Sequence, residues 1–196
     1  MGIEFEIKFR ATPEKLKAIN RAISGEETVY HMQTTYYDTP ADALAQRYYT
    51  LRHRMENQLS VCTLKTPADG LGRQEFEVES PTIAAAIPEL CKLSNLPELP
   101  GLLAEGVCAV CGAKFTRIAK EIQLGETIVE LALDQGILTG GGQEVALCEV
   151  EVELKSGTRE AAYAYAMQLA LAFDLQQEKH SKFRRAQALA KGEMYG

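Results

Sequence analysis

Residues 4–8 read "EFEIK". Because strand side chains alternate between two faces, this pattern sets Glu4, Glu6 and Lys8 on one side and Phe5, Ile7 and Phe9 on the other. One such strand is half-buried with a wet charged face. The pattern recurs along the chain, however. Arg52 and Arg54 share a face in "TLRHR", as do Thr63 and Lys65 in "CTLK". In "RQEFEVE", Arg73, Glu75, Glu77 and Glu79 oppose Phe76 and Val78, and in "EVEVELK", Glu149, Glu151 and Glu153 oppose Val150, Val152 and Leu154. Neighbours on one strand face lie about 7 Å apart. At that spacing rows of like charge repel unless water or a counter-charge relieves them.

Working outward, strand patterns cover residues 33–39, 48–56, 59–66, 73–80, 113–124, 126–136 and 144–155. The loop 67–72 and the glycine-rich turn 139–143 ("TGGGQ") punctuate them. A helix is predicted after Thr12 as N-cap and Pro13 at the first helical position, with Leu16, Ile19 and Ile23 on one face and Gly25 as its stop. A second is predicted behind Thr158, through residue 173, and a third over residues 181–191. Residues 81–106 read as short helices broken by Pro88, Pro97 and Pro100.

Strands joined by short turns are antiparallel neighbours. The expected fold is therefore α+β, one domain over residues 1–196, with an eight-stranded antiparallel sheet closed into a β-barrel and helices packed outside. Amphipathic helices need the Phe/Ile/Val face of the strands, so the charged face turns inward. A bore of about eight strands holds one small ligand.

The charge rows suggest which ligand. Arginine and lysine clusters bind phosphate oxygens, and paired carboxylates hold Mg²⁺ or Mn²⁺, hard cations that bridge to substrate phosphates. "TGGGQ" lacks the nucleotide-loop pattern G-x-x-x-x-G-K and reads as a hairpin turn. A formal net charge of −6 without a basic tail argues against a DNA partner. No apolar leader precedes Glu4, and the longest apolar run, residues 161–173, is interrupted by Gln168 and shorter than the roughly 20 residues of a membrane span. A cytoplasmic protein with no membrane partner, monomeric or homodimeric, is expected. Five cysteines without a secretion signal suit a reducing compartment. The pair Cys108 and Cys111 has zinc or redox spacing. It lacks a second ligand pair, since His31, His53 and His180 are scattered, and reads as buried free thiols.

In order, the chain carries E-x-E-x-K, "YYDT", "LRHR", "TLK", "RQEFE", "FTR", "LDQG", "EVEVELKSG" and "SK". This succession resembles the CYTH superfamily, the triphosphate tunnel metalloenzymes, over nearly the whole chain. The resemblance implies an eight-stranded tunnel in which Lys8, Arg52, Arg54, Lys65, Arg117 and the C-terminal Lys182 grip phosphates. Glu4, Glu6, Glu149 and Glu151 are implied to bind Mg²⁺ or Mn²⁺, while Glu75, Glu77 and Asp134 bind or orient metal and water. Lys8, Glu6 and Lys182 are the implied catalytic residues. Arg73 is expected to pair with acidic neighbours, and Glu153 sits near the strand's exit. The implied activity is metal-dependent hydrolysis of a small-molecule triphosphate, first of all inorganic tripolyphosphate. Thiamine triphosphatase, class IV adenylyl cyclase and a non-catalytic binding module are the alternatives. Animal thiamine triphosphatases stack a tryptophan on their substrate, and this chain has no tryptophan.

Overall fold

The computed structural model describes residues 3–68 and 73–193, with backbone alone for Ile3 and Glu4. Strands β1 (Ile3–Glu4) and β2 (Glu6–Arg10) lead into helix α1 (Pro13–Ala22). Four strands follow: β3 (Glu27–Asp38), β4 (Thr50–Glu56), β5 (Leu59–Pro67) and β6 (Arg73–Glu79). After α2 (Ile83–Ser94) and α3 (Leu99–Leu102) come the long strands β7 (Cys108–Leu124), β8 (Thr127–Gly140) and β9 (Gln143–Ser156). Helix α4 (Arg159–Ala172), strand β10 (Gln176–Gln177) and helix α5 (Lys182–Ala190) complete the order.

The strands form one antiparallel sheet in the order β1-β6-β5-β4-β3-β7-β8-β9-β2-β10. The expected eight strands closed into a barrel are not what is found. There are ten, or nine if β1 and β2 count as one strand, and the pairing order is open, ending at β1 and β10. The reason lies at Phe5. Before it the chain pairs with β6, and after it with β9. Its own carbonyl accepts from the amide of Leu154 on the β9 side. The extra strand β10 is a dipeptide whose residues Gln176 and Gln177 carry no strand pattern, and it pairs with Arg10 and Phe9.

The apolar face is covered as expected over most of the sheet. Leu16 and Ile19 of α1 and Ala162, Ala166 and Leu169 of α4 pack on Ile7, Phe9, Val129, Leu131, Leu133, Val150 and Val152. Ile83, Ala86 and Leu90 of α2 and Leu99 of α3 pack on Leu51, Cys62, Leu64 and Phe76. Thr12 caps α1 as predicted, its hydroxyl accepting from the amide of Lys15. Pro88 does not break α2, which runs through it. One missing backbone hydrogen bond is offset by burial of the Ile83/Ala86/Leu90 stripe, each residue of which contributes about 1–3 kcal/mol.

Helix α5 departs from the expectation that all helices lie outside. Phe183 and Ala186 pack against Met32, Tyr36, Ala113, Phe115, Leu138 and Leu147. In strand parity Phe115 shares a face with Arg117, Leu138 with Asp134, and Leu147 with Glu149. Helix α5 therefore sits on the charged face. Room for it comes from Gly140, where a Cβ would lie 2.4 Å from the carbonyl oxygen of Ala186.

Candidate functional site

Register brings the charged residues together. On the β2–β9 ladder Lys8 lies opposite Glu151 and Glu6 opposite Glu153. Asp134 faces Glu149 on β8–β9 and Arg117 on β7–β8. On the other flank Lys65 faces Glu75, Thr63 faces Glu77 and Arg52 faces Thr63. All these side chains have the parity of the charged face. They surround a cleft of about 800 Å³ lined by Glu6, Lys8, Arg52, Arg54, Lys65, Glu75, Glu77, Arg117, Glu151 and Lys182, among others. Among the described side chains, two of the residues proposed from the sequence are not on that lining. Asp134 and Glu149 are fully buried behind it, and the side chain of Glu4 is outside the described residues, although its backbone pairs with Arg73.

On the β4–β6 flank Arg52 donates to Glu75 at 3.2 Å and lies 3.7 Å from Glu77, while Lys65 approaches Glu75 at 3.1 Å. Glu77 also accepts from the Thr63 hydroxyl at 3.0 Å and is half exposed. Arg54 donates from Nε to Thr34 at 2.9 Å. Burial, with the nearby guanidinium of Arg52, lowers its pKa. The Nε of Arg52 is buried without a hydrogen-bond partner.

The β8–β9 flank is more densely paired. Arg117 grips Asp134 with Nε at 2.7 Å and a terminal nitrogen at 2.8 Å, and that nitrogen also donates to Glu151. The ammonium of Lys182 contacts Asp134 at 2.8 Å, Glu151 at 2.7 Å and Glu149. Lys8 donates to Glu6 at 2.7 Å. Burial disfavours its charge, but Glu6, Glu151 and Glu149 outweigh that and raise its pKa. Burial likewise opposes ionisation of Glu151, yet Lys182, Arg117 and Lys8 hold its carboxyl well below the usual carboxylate range. At Glu149 burial prevails and raises the pKa.

Three residues that sequence reading missed complete the site. Arg185 donates to Glu149 at 2.6 Å, and its relation to Lys182, three residues earlier on α5, places both on one helix face. Buried Glu178 accepts from Nε of Arg10 at 2.6 Å and lies 3.7 Å from Arg185. Phe115 is an apolar floor over which Arg54, Arg117 and Lys182 stand at 5.9, 5.9 and 5.3 Å from the ring centroid, within cation–π range. The Arg185 signal was present in the sequence as helical spacing. Nothing in the order of residues announced Glu178 or the role of Phe115.

Arg73 donates to the carbonyls of Tyr48 and Lys65 and to the Thr50 hydroxyl. Cys111 is buried, and burial pushes its thiol up to about 12, but Cys108 is exposed, so the free thiols are not both buried. Asp38 of "YYDT" accepts from the amides of Thr39, Leu44 and Ala45, which makes it the anchor of the following loop.

Asp134, Glu149 and Glu151 each offer one oxygen, and these oxygens lie within 4.8 Å of one another. Oε2 of Glu149 is buried and lacks a hydrogen bond of proper geometry. Three convergent carboxylate oxygens suit a hard divalent cation. A family profile described as the CYTH domain matches residues 2–186.

The chain belongs to the CYTH domain family.

Among its relatives is the inorganic triphosphatase of Haemophilus influenzae, 27% identical over 194 residues. The match covers 95% of this CYTH chain and 54% of the relative, so the chain spans about half the length of that protein. The fold recurs in the PH1819 protein of Pyrococcus horikoshii, at a TM-score of 0.65 and 19% identity over 97% of this chain and 99% of that one. It recurs also in a putative adenylyl cyclase from Hippeastrum described as having a dominant triphosphatase activity, at 0.66 and 16% identity over 100% and 98% of the two chains. At these identities the two structures support the CYTH fold alone. No helix among the described residues is long and apolar enough to cross a membrane.

Proposed function

We propose that this CYTH domain hydrolyses a triphosphate with a divalent metal ion, inorganic tripolyphosphate before others, in the charged cleft of its sheet. The observation that carries the reading is the meeting of cations from β2, β4, β5, β7 and α5 with carboxylates from β2, β6, β8 and β9 around one cleft. A site for a neutral ligand needs no such excess of charge. The Haemophilus relative, an inorganic triphosphatase, supports the choice of substrate.

Lys8, Arg52, Arg54 and Lys65 line the cleft and would take phosphate oxygens. Glu6, Glu149, Glu151 and Asp134 would hold Mg²⁺ or Mn²⁺, with Glu4 as a further ligand on the same strand face. When bound, the metal supplies neutralisation of phosphate charge. Glu75 and Glu77, on the opposite flank, would orient the attacking water. Arg117 lines the cleft with the other proposed phosphate grips and has a second task. Its guanidinium is hydrogen-bonded to Asp134 and Glu151, so it positions carboxylates. Phosphoryl transfer asks of a protein little beyond positioning and charge. Substitution of one cationic clamp should therefore lower turnover roughly tenfold to a thousandfold, as loss of a charge-stabilising donor does elsewhere.

The test is incubation of the purified protein with tripolyphosphate, ATP or thiamine triphosphate in Mg²⁺ or Mn²⁺, with measurement of phosphate, pyrophosphate and cyclic AMP. Orthophosphate and pyrophosphate in equal amounts, from tripolyphosphate in preference to the other two, are the expected products. Cyclic AMP as the main product would replace the reading by a cyclase, and binding without turnover by a binding module.

A further inference from the structure

The three acids around Lys182 use their oxygens in a divided way. Both oxygens of Asp134 accept from Arg117, and Oδ2 also lies 2.8 Å from the Lys182 ammonium. Oε2 of Glu151 meets Arg117, and Oε1 accepts from Lys182 at 2.7 Å. Oε1 of Glu149 accepts from Arg185 at 2.6 Å, and Oε2 meets Lys182. Two arginines thus form a fixed frame outside the triad. One oxygen of each acid also meets a single ammonium nitrogen, that of Lys182, and only Oδ2 of Asp134 is shared with an arginine. Among the described residues no other cation touches all three acids.

Asp134 and Glu149 do not line the cleft, whereas Lys182 does. The ammonium therefore stands between the cleft and the acids that would hold a metal. An ammonium and a divalent cation sharing these oxygens would be about 3 Å apart and repel strongly, so the two occupants exclude each other. Lys182 is free to yield. Its backbone is held by the Ser181 cap and by packing of Phe183, but four rotatable side-chain bonds let the ammonium swing into the cleft.

We propose that Lys182 is a built-in stand-in for a divalent cation: a metal entering the Asp134–Glu149–Glu151 oxygens expels its ammonium into the cleft, where it meets the phosphate. The inference rests on the reading of the cleft as a metal and triphosphate site. It adds that Lys182 is not a fixed phosphate grip but exchanges partners, carboxylates without metal and phosphate with it. The arginine frame stays in place through the exchange, so the oxygens are preset for the metal.

The test is Mn²⁺ titration, by calorimetry in phosphate-free buffer, of the wild type, Lys182→Met and Lys120→Met. Lys120 is buried at the end of α1 and donates there to the carbonyls of Asn20 and Ile23, so its variant controls for loss of a buried charge. Lys182→Met should bind Mn²⁺ about tenfold or more tightly than the wild type, with Lys120→Met unchanged; such a coupling lies within the usual range. Equal or weaker binding by Lys182→Met overturns the exchange. Crystals of the wild type soaked in Mn²⁺ give a second measurement that needs no variant. The anomalous peak is expected among the three oxygens with the Lys182 ammonium turned away. A peak elsewhere, or Lys182 unmoved, overturns the proposal. Tripolyphosphate hydrolysis with Lys182→Met affinity equal to wild type would sink the exchange alone. Exchange without turnover of any of the three triphosphates would sink the proposed activity alone.

Discussion

Replacing Arg117 by methionine keeps the length of the side chain and removes its fork. In the native protein that fork makes two hydrogen bonds to fully buried Asp134 and one to Glu151. Breaking a buried charge pair from one side costs about 3–5 kcal/mol, because the partner is left uncompensated. Lys182 still touches both acids in the variant, so the lower end, about 3 kcal/mol, is expected. For a chain of this length that lowers the melting temperature by about 6–12 °C. The sign with pH follows from Glu151. Its pKa in the folded protein is held down by Lys182, Arg117 and Lys8 against the effect of burial. The stability it contributes is therefore present above its unfolded value of about 4.3 and lost as pH falls through the folded one. With Arg117 gone, burial raises the folded pKa, and the variant recovers stability relative to the wild type on acidification. Urea unfolding at pH 7.5 and about 3.5, below the unfolded value, measures this as a gap that narrows at the lower pH. Arg117→Lys should not close the gap at pH 7.5, since an ammonium cannot grip two oxygens of Asp134 and one of Glu151 at once. A variant as stable as the wild type at pH 7.5, or a gap that widens on acidification, would refute the reasoning.

Gly136 lies on β8 opposite Phe115, and a Cβ there would come within 2.1 Å of the Lys114 carbonyl oxygen and 2.5 Å of the Phe115 Cα. Gly136→Ala should destabilise by about 1–3 kcal/mol, as overpacking does, and also weaken substrate binding by displacing the ring under Arg54, Arg117 and Lys182. Denaturation together with KM reads both effects, and an unchanged melting temperature would count against the close contact. Lys120→Met should lose about 1.5–3 kcal/mol, the worth of charged hydrogen bonds at the end of α1, with kcat unaltered because Lys120 is outside the cleft. A fall in kcat at full folding would contradict that placement.

How much of this was legible before the structure varies by residue. The charged faces of β2, β4, β5, β6 and β9 were visible because a period of two is a local property, and parity alone assigned Lys8, Arg52, Lys65, Glu75, Glu149 and Glu151 to one side. Closure was not legible, because whether a strand keeps one neighbour or changes it at Phe5 depends on residues far along the chain. Helix α5 was predicted, but its place on the charged face was not. Its apolar stripe of Phe183 and Ala186 reads the same against either side of a sheet, and the space left by Gly140 decides between them. The grip of Arg117 on carboxylates was hidden for a related reason. Sequence shows that an arginine is present near acids, whereas the carboxylates that occupy its fork come from two other strands.

The change of partner at Phe5 also bears on how the protein is made. The residues before it pair with β6, and those after it pair with β9, which leaves the ribosome only after most of the chain. Strand β2 must therefore wait, with Ile7 and Phe9 uncovered, until nearly all of the sheet exists. Such pairing between distant segments is slow to form, and waiting strands are exposed to aggregation. Glu6 and Lys8 thus join the other charged residues only once β9 exists, and Lys182 on α5 follows. Assembly of the cleft and completion of the fold become a late event, and partly synthesised chains lack the complete cleft.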